Sequence, residues 1–499
     1  MEISFTHTAA SCYREVASPV CRVQETAESV VPDTDPDIGR VVSVRTNVLL
    51  KSKDLTSRGV QVTGEMQAAL LYITESETAV SCVQLRREFS MDFELGQIQA
   101  EALTQIRLSV ASTEARVLNP RKVAVTAELV GELRCYRQEE LMLETLLPEN
   151  AEGLVHVKRE TAQSSAVSAV TEKTFAVSEQ FRFPEAKGEP ARLLSQEVGF
   201  TLEEVQQVGS RAVVKGTAVV TVYYLSKDAD YPLRAQFSVP FSQIVDTGTA
   251  SEGTSSAHVE LTSAYFDLID TISGEKALDV ELHALLELVS REELNTAWFS
   301  DAYCNRMPCA CLTQTTTLTT VAPAKKLRLD GEGLVSIAED CEDVLCVLPF
   351  LAQLTRTENE LSALTCLDVL YRSKGGGIAA VRRLFELEKG EISPATRLGD
   401  GRLCGEDFRP EGTSLRARLS FEVQTQNVET REITALTGVT LDEDAAWRPE
   451  SLPNVTLVRN GEALWELAKR CHSSVGAIEA LNGESIHNAD ALLLIPREN

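Results

Sequence analysis

The chain is short of aromatic residues: they make up 5% of 499 positions, and only three of them are tryptophan. Basic residues are also in deficit, 48 Lys and Arg against 74 Asp and Glu, which leaves a net charge of −26. That balance argues against nucleic acid or an anionic membrane surface as the main partner, since both are polyanions. No apolar run approaches the roughly eighteen residues of a membrane-spanning helix. The opening stretch, "MEISFTHTAASCYREV", has no basic n-region and no apolar h-region, so it does not read as a signal peptide. Together these absences lead us to expect an acidic cytosolic protein with no membrane span.

Catalytic signals are equally sparse. The six histidines are His7, His156, His258, His283, His472 and His487. None stands in an H-E-x-x-H helix, and no G-x-S-x-G elbow accompanies them. "SKGGGIA" (Ser373–Ala379) lacks the G-x4-G-K-[ST] order of a phosphate loop, because its lysine precedes the glycines, so it reads as a hairpin turn. Cys471 and His472 are adjacent, but neighbours on a helix point apart. The acidic pairs Glu139-Glu140 and Glu203-Glu204 read as solvated faces or loops. Twelve cysteines are scattered, apart from Cys304, Cys309 and Cys311 in "CNRMPCAC". That C-x4-C-x-C spacing has no histidine close by, so reduced thiols fit better than a zinc site. The expectation is a non-enzyme with no catalytic residues, no metal and no cofactor.

What the chain does have is repetition. At 499 residues with 43% hydrophobic content it exceeds one ordinary core and suggests roughly three or four domains. "GVQVTGEMQAALLYITESE" (Gly59–Glu77) aligns with "AVVKGTAVVTVYYLSKDAD" (Ala212–Asp230), placing Gly64 on Gly216 and Tyr72 on Tyr224. "VSCVQLRREFSMDFEL" and "KVAVTAELVGELR" find their counterparts in "PLRAQFSVPFSQIV" and "KALDVELHALLEL". A third, diverged copy runs "LTCLDVLYRSKGGGIAAVRRLFELEKG", with Tyr371 in the tyrosine position, and "SLRARLSFEVQTQ" closes it. Val60, Val62, Met66 and Ala68, and likewise Val214, Ala218, Val220 and Val222, alternate with the period near two of a half-buried strand. Turn signals separate the segments: "ESET", "SKDADYP" and "SKGGG". The reading is mainly β, with three tandem antiparallel β-sandwich-like domains at 1–150, 160–300 and 305–442. A linker at 443–454 leads to a small β-α-α-β module at 455–497.

The last module begins with a strand at Thr456–Arg459 and a turn at Asn460-Gly461. Leu464, Leu467, Ala468 and Cys471 then form one apolar helical stripe. Ser473 or Ser474 can cap a second helix whose Val475, Ile478 and Leu481 face inward; Asn482-Gly483 ends it, and "ALLLIP" is a closing strand. This stretch resembles the LysM domain, with Gly461, Leu464, Trp465, Ala468, Leu481, Asn482, Ile495 and Pro496 in register with the family pattern. The resemblance implies N-acetylglucosamine recognition in peptidoglycan or chitin, in a groove between Asn460–Leu464 and Ile486–Ala491. The sequence departs from the family there. Glu462-Ala463 replaces the usual Asp-Thr, and Asp490-Ala491 replaces the usual Gly-Gln. Leu457, Leu492 and Leu494 occupy strand positions expected to face outward. That favours a protein ligand over a sugar or a purely structural tail. The expected contact residues are Leu457, Asn460, Gly461, Glu462, Ala463, Trp465, Ile486, His487, Asn488, Asp490, Leu492 and Leu494.

The repeats followed by LysM resemble the SPOCS-domain spore coat morphogenesis proteins of spore-forming Firmicutes. The residues that carry this are "PDIGRVVSV", "VQVTGEMQAALLYI" and "VVKGTAVVTVYYL". The resemblance implies a non-enzymatic scaffold in the mother-cell cytoplasm at the forespore surface. Its implied partners are the coat morphogenetic ATPase, stage IV sporulation protein A, and other coat proteins. Three β domains offer edge strands and wide faces suited to multivalent contact. The alternative is a peptidoglycan-binding protein acting through LysM. A hydrolase with a wall-binding tail is the weakest reading, since no nucleophile or acid pair sits on a recognisable motif.

Overall fold

The glycines and phenylalanines of the repeat explain its strand pairing. Across an antiparallel register, Gly64 lies opposite Phe89 and Gly216 opposite Phe241. A side chain at either glycine would strike that ring and the next strand's carbonyl, so the position keeps its hydrogen. The computed structural model describes residues 1–96, 102–184, 188–248, 253–272, 274–445, 454–488 and 491–497. Most of the expected linker, 446–453, and Asp490 therefore lie outside the described residues.

The architecture is mainly β and builds one pattern three times. Three short sheets come first: Ile38–Thr56, Gly59–Thr74 and Val80–Glu94; then Pro190–Val208, Arg211–Ser226 and Leu233–Asp246; then Cys341–Arg356, Glu360–Ser373 and Ile378–Glu386. Each packs on a second layer to make a sandwich. The first layer partner is Val20–Val30, Leu103–Asn119 and Lys122–Leu146. The second is Val155–Arg182, Gly253–Asp270 and Lys276–Cys304. The third is Lys325–Ser336, Thr396–Glu411 and Ser414–Leu441. The second unit opens at Val155, within the stretch the sequence left between domains. "ESET", "SKDADYP" and "SKGGG" all lie at hairpin turns between paired strands.

Four long strands run beyond their sandwiches and meet in a common hub. There the ends of Lys122–Leu146, Val155–Arg182, Lys276–Cys304 and Ser414–Leu441 pair with Thr6–Ala17 and Cys309–Val321 or with one another. Glu2–Ser4 pairs with Gly438–Thr440, so the first residues of the chain lie on the third unit. Phe5, Val155, Phe299, Leu436 and Val439 share the hub's apolar core.

The short sheets also pack against each other. Leu71, Ile73 and Cys82 of the first unit meet Leu194 and Tyr223 of the second and Leu348, Leu370 and Ile378 of the third. This alters one sequence expectation. The middle strands alternate only over their first halves; from Ala68 to Thr74 every side chain is buried. A strand covered on both faces carries a continuous apolar run, which "ALLYI" is.

A buried ionic junction joins all three units. His258 of the second places Nδ1 2.8 Å from Asp400 of the third and Nε2 2.7 Å from Glu260. Glu260 accepts the backbone N–H of Leu108 in the first unit at 2.8 Å, and Glu287 accepts that of Ile106 at 3.0 Å. Two carboxylates thus satisfy N–H groups on the edge of Leu103–Asn119, where an open edge would invite pairing. Lys53 Nζ reaches Glu287 at 2.6 Å.

Burial opposes the charge on His258, but Asp400 and Glu260 outweigh it and raise its pKa to about 10. Asp400 works against its own burial, and His258 holds it down to about 2. A pKa raised in the folded state adds stability below the unfolded value and loses it as pH climbs to the folded one. The His258 contribution should therefore be complete below its unfolded pKa of 6.5 and fade toward pH 10. Its upper bound is on the order of 4–5 kcal/mol. Urea unfolding from pH 6 to pH 10 should show this alkaline loss, and His258→Gln should abolish the part below about pH 8, before the buried thiols of Cys82, Cys135 and Cys366 begin to contribute. A variant with the same slope as wild type would remove His258 as its source.

No helix among the described residues is long and apolar enough to cross a membrane.

Candidate functional site: the C-terminal module

Strand period and helix stripe together shape the last forty residues. Val455–Arg459 pairs antiparallel with Leu492–Pro496. Between them lie α1 (Leu464–Cys471) and α2 (Val475–Asn482). Leu467, Ala468 and Ile478 are buried with Leu493 and Ile495, so the helices cover one face of the two-stranded sheet. Alternation sends the intervening side chains to the other face. Leu457 is 58% exposed, Leu492 62% and Leu494 43%, and Leu457 stands directly opposite Leu494. Val455 is exposed beside them.

Local capping follows residue chemistry. Ser474 is the cap of α2, its Oγ accepting from Ala477 N at 3.1 Å. Ala463 precedes α1 without a side-chain cap, as the missing hydroxyl requires. Leu481 differs from expectation: it is 49% exposed, not inward. The reason is its neighbour. Asn482 donates through Nδ2 to Leu494 O and accepts Leu494 N through Oδ1, both at 2.7 Å. That clamp turns Asn482 toward the strand, and Leu481, about 100° back around the helix, faces away.

The loops expected to form a sugar groove are tied together. Asn460 Nδ2 donates to Ile486 O at 2.8 Å and Asn488 O at 2.9 Å, which uses both of its amide hydrogens. Glu462 is ion-paired to Arg470. Gly461, Ala463 and His487 are exposed, and Ile486 packs partly into the module core.

Trp465 has an intramolecular use. Its Nε1 donates to Asp301 Oδ2 at 2.7 Å, and its ring meets the Tyr303 ring edge-on at 4.8 Å. Lys469 Nζ lies 2.8 Å from both oxygens of Asp301. Burial raises the cost of the Asp301 charge, but Lys469 and Trp465 prevail and hold its pKa below the usual value. Tyr303 belongs to the module's own core, donates to Ser473 O at 2.8 Å, and stacks on His156 at 5.0 Å. The module is therefore seated by its helical side on the end of Lys276–Cys304, which leaves the leucine face free of the seat. Sequence reasoning placed Trp465 among the ligand contacts and missed Asp301 and Tyr303, which lie more than 160 residues away.

Charge-assisted hydrogen bonds contribute about 1.5–3 kcal/mol. Asp301→Ala should thus weaken the seat by at least roughly tenfold. Hydrogen exchange at Leu467 and Ala468 in the full chain should accelerate accordingly; unchanged protection would show that Asp301 does not hold the module.

"CNRMPCAC" lies beneath this seat. Cys304 is buried in the hub core, and Cys311 Sγ is 3.5 Å from Ala302 O. The Cys309 thiol hydrogen-bonds Cys311 and makes the Cys311 thiol the more acidic of the pair. Among the described residues no group of three or more His, Cys, Asp or Glu side chains is arranged to hold a metal ion. Cys471 packs partly into the module core, while His472 takes the left-handed cap of α1 at φ 53°.

Compared with family models, with curated proteins and with solved structures, the chain matches none.

Proposed function

We propose that this chain is a non-enzymatic scaffold of the SPOCS and LysM kind. Its tail binds a protein surface, and its β units give further contacts in spore coat assembly. The observation that carries the reading is the outward pairing of Leu457 with Leu494, flanked by Leu492 and Val455, on a module whose other side is already anchored. At about 25 cal/mol per Å², covering a few hundred Å² of such a face supplies several kcal/mol. The commitment of both Asn460 amide hydrogens to backbone carbonyls weakens the glycan reading, since sugar hydroxyls then lose that donor.

The sequence resemblance supplies the partner: the coat morphogenetic ATPase, stage IV sporulation protein A, met on the mother-cell side of the forespore. A fluorescent fusion in a spore-forming host should ring the developing forespore. Uniform expression in growing cells, with no ring, would contradict the proposed setting.

A further inference from the structure

The three units line an open cavity of about 1000 Å³ beside the apolar contact that their short sheets share. Its size lies at the upper end of the roughly 300–1,000 Å³ of small-molecule sites. Five arginines and four carboxylates line it, a basic excess in a chain whose net charge is −26. Two of the arginines are closely matched. Arg382 grips Asp368 through two hydrogen bonds, at 2.7 and 3.0 Å, and Arg234 meets Glu406 at 2.9 Å.

Arg45 is matched less completely. It is only 7% exposed, and its nearest carboxylate, Glu197, stands 3.4 Å from Nε. Its Nη2 has no hydrogen-bond partner in the chain, and neither has Nε of Arg402. The Arg45 and Arg382 guanidinium groups both lie over the Phe350 ring, 5.0 and 5.3 Å from its centroid, which helps hold both cations in place.

A buried guanidinium with an unused N–H is costly unless something accepts from it. Planar guanidinium forks match the oxygens of carboxylates and phosphates. We infer that this cavity binds a small molecule bearing an oxyanion, a carboxylate or a phosphate, through the free nitrogens of Arg45 and Arg402. The three units contribute to it jointly: Arg45 comes from the first, Glu197 and Arg234 from the second, and Arg382, Arg402 and Glu406 from the third. The ligand would therefore also clamp the units together.

The test is calorimetric titration of the full chain with citrate and, separately, with inorganic phosphate, at ionic strength fixed by chloride. Saturable binding of one or both is expected, and the stronger of the two identifies the oxyanion. Arg402→Gln, at a half-exposed position that spares the fold, should weaken that binding at least tenfold. Arg45→Lys should weaken it too, because a point charge replaces the fork. Absence of saturable heat with both anions, or wild-type affinity in Arg402→Gln, would overturn the assignment.

Discussion

Lys53→Met should destabilise the folded chain by about 3–5 kcal/mol, the cost of leaving a buried ion without its partner. Glu287 is only 1% exposed, and Lys53 is the cation that meets it, at 2.6 Å. Ile106 N–H remains as a donor, but a neutral dipole does not replace a charge. Burial already raises the Glu287 pKa, with Lys53 pulling against it. Removing Lys53 raises it further. A carboxyl whose folded pKa exceeds its unfolded value gains stability as pH falls toward the unfolded value. The deficit of the variant should therefore shrink between pH 8 and pH 5. The double change Lys53→Met/Glu287→Gln should recover most of it at any pH, since the amide oxygen still accepts from Ile106. Urea unfolding followed by fluorescence of Trp298, buried in the hub, reads the effect. A wild-type midpoint for Lys53→Met, or a double variant no better than the single, would show that the junction does not hold the units together.

The second large effect concerns binding. Leu457→Asp combined with Leu494→Asp should lower affinity for the protein partner more than 100-fold. Two carboxylates would face each other across one strand pair and would have to be desolvated in the complex. Both leucines are exposed in the free chain, so folding should change little, by about 0.5 kcal/mol or less each. Unchanged hydrogen-exchange protection of Leu467 and Leu493 would establish that the module remains intact. Unchanged affinity in an intact variant would remove the leucine face from the account.

How much of this was legible in the sequence depends on the reach of each interaction. The stripe Leu464, Leu467, Ala468 was readable from its period, and the outward placement of Leu492 and Leu494 from the family pattern that the strand resembles. Gly64 and Gly216 marked the repeat because a ring one strand away excludes every side chain there. Leu481 was misread because its orientation is set by the Asn482 clamp on a strand twelve residues onward. The burial of Ala68–Thr74 on both faces depends on two other units, which no window over that strand contains. The junction of His258, Glu260 and Glu287 left no readable sign, because Asp400 and Lys53 lie 142 and 234 positions from their partners. Trp465 announced a special position but not Asp301.

The central claim is that the tail's leucine face takes a protein and not a glycan. The most direct measurement titrates the full chain against purified stage IV sporulation protein A and, in parallel, against chitin oligomers. Saturable binding to the ATPase, lost when Leu457 and Leu494 become aspartate, with no binding to the oligomers, is the expected result. Binding to the oligomers that survives the leucine changes, with none to the ATPase, would contradict it.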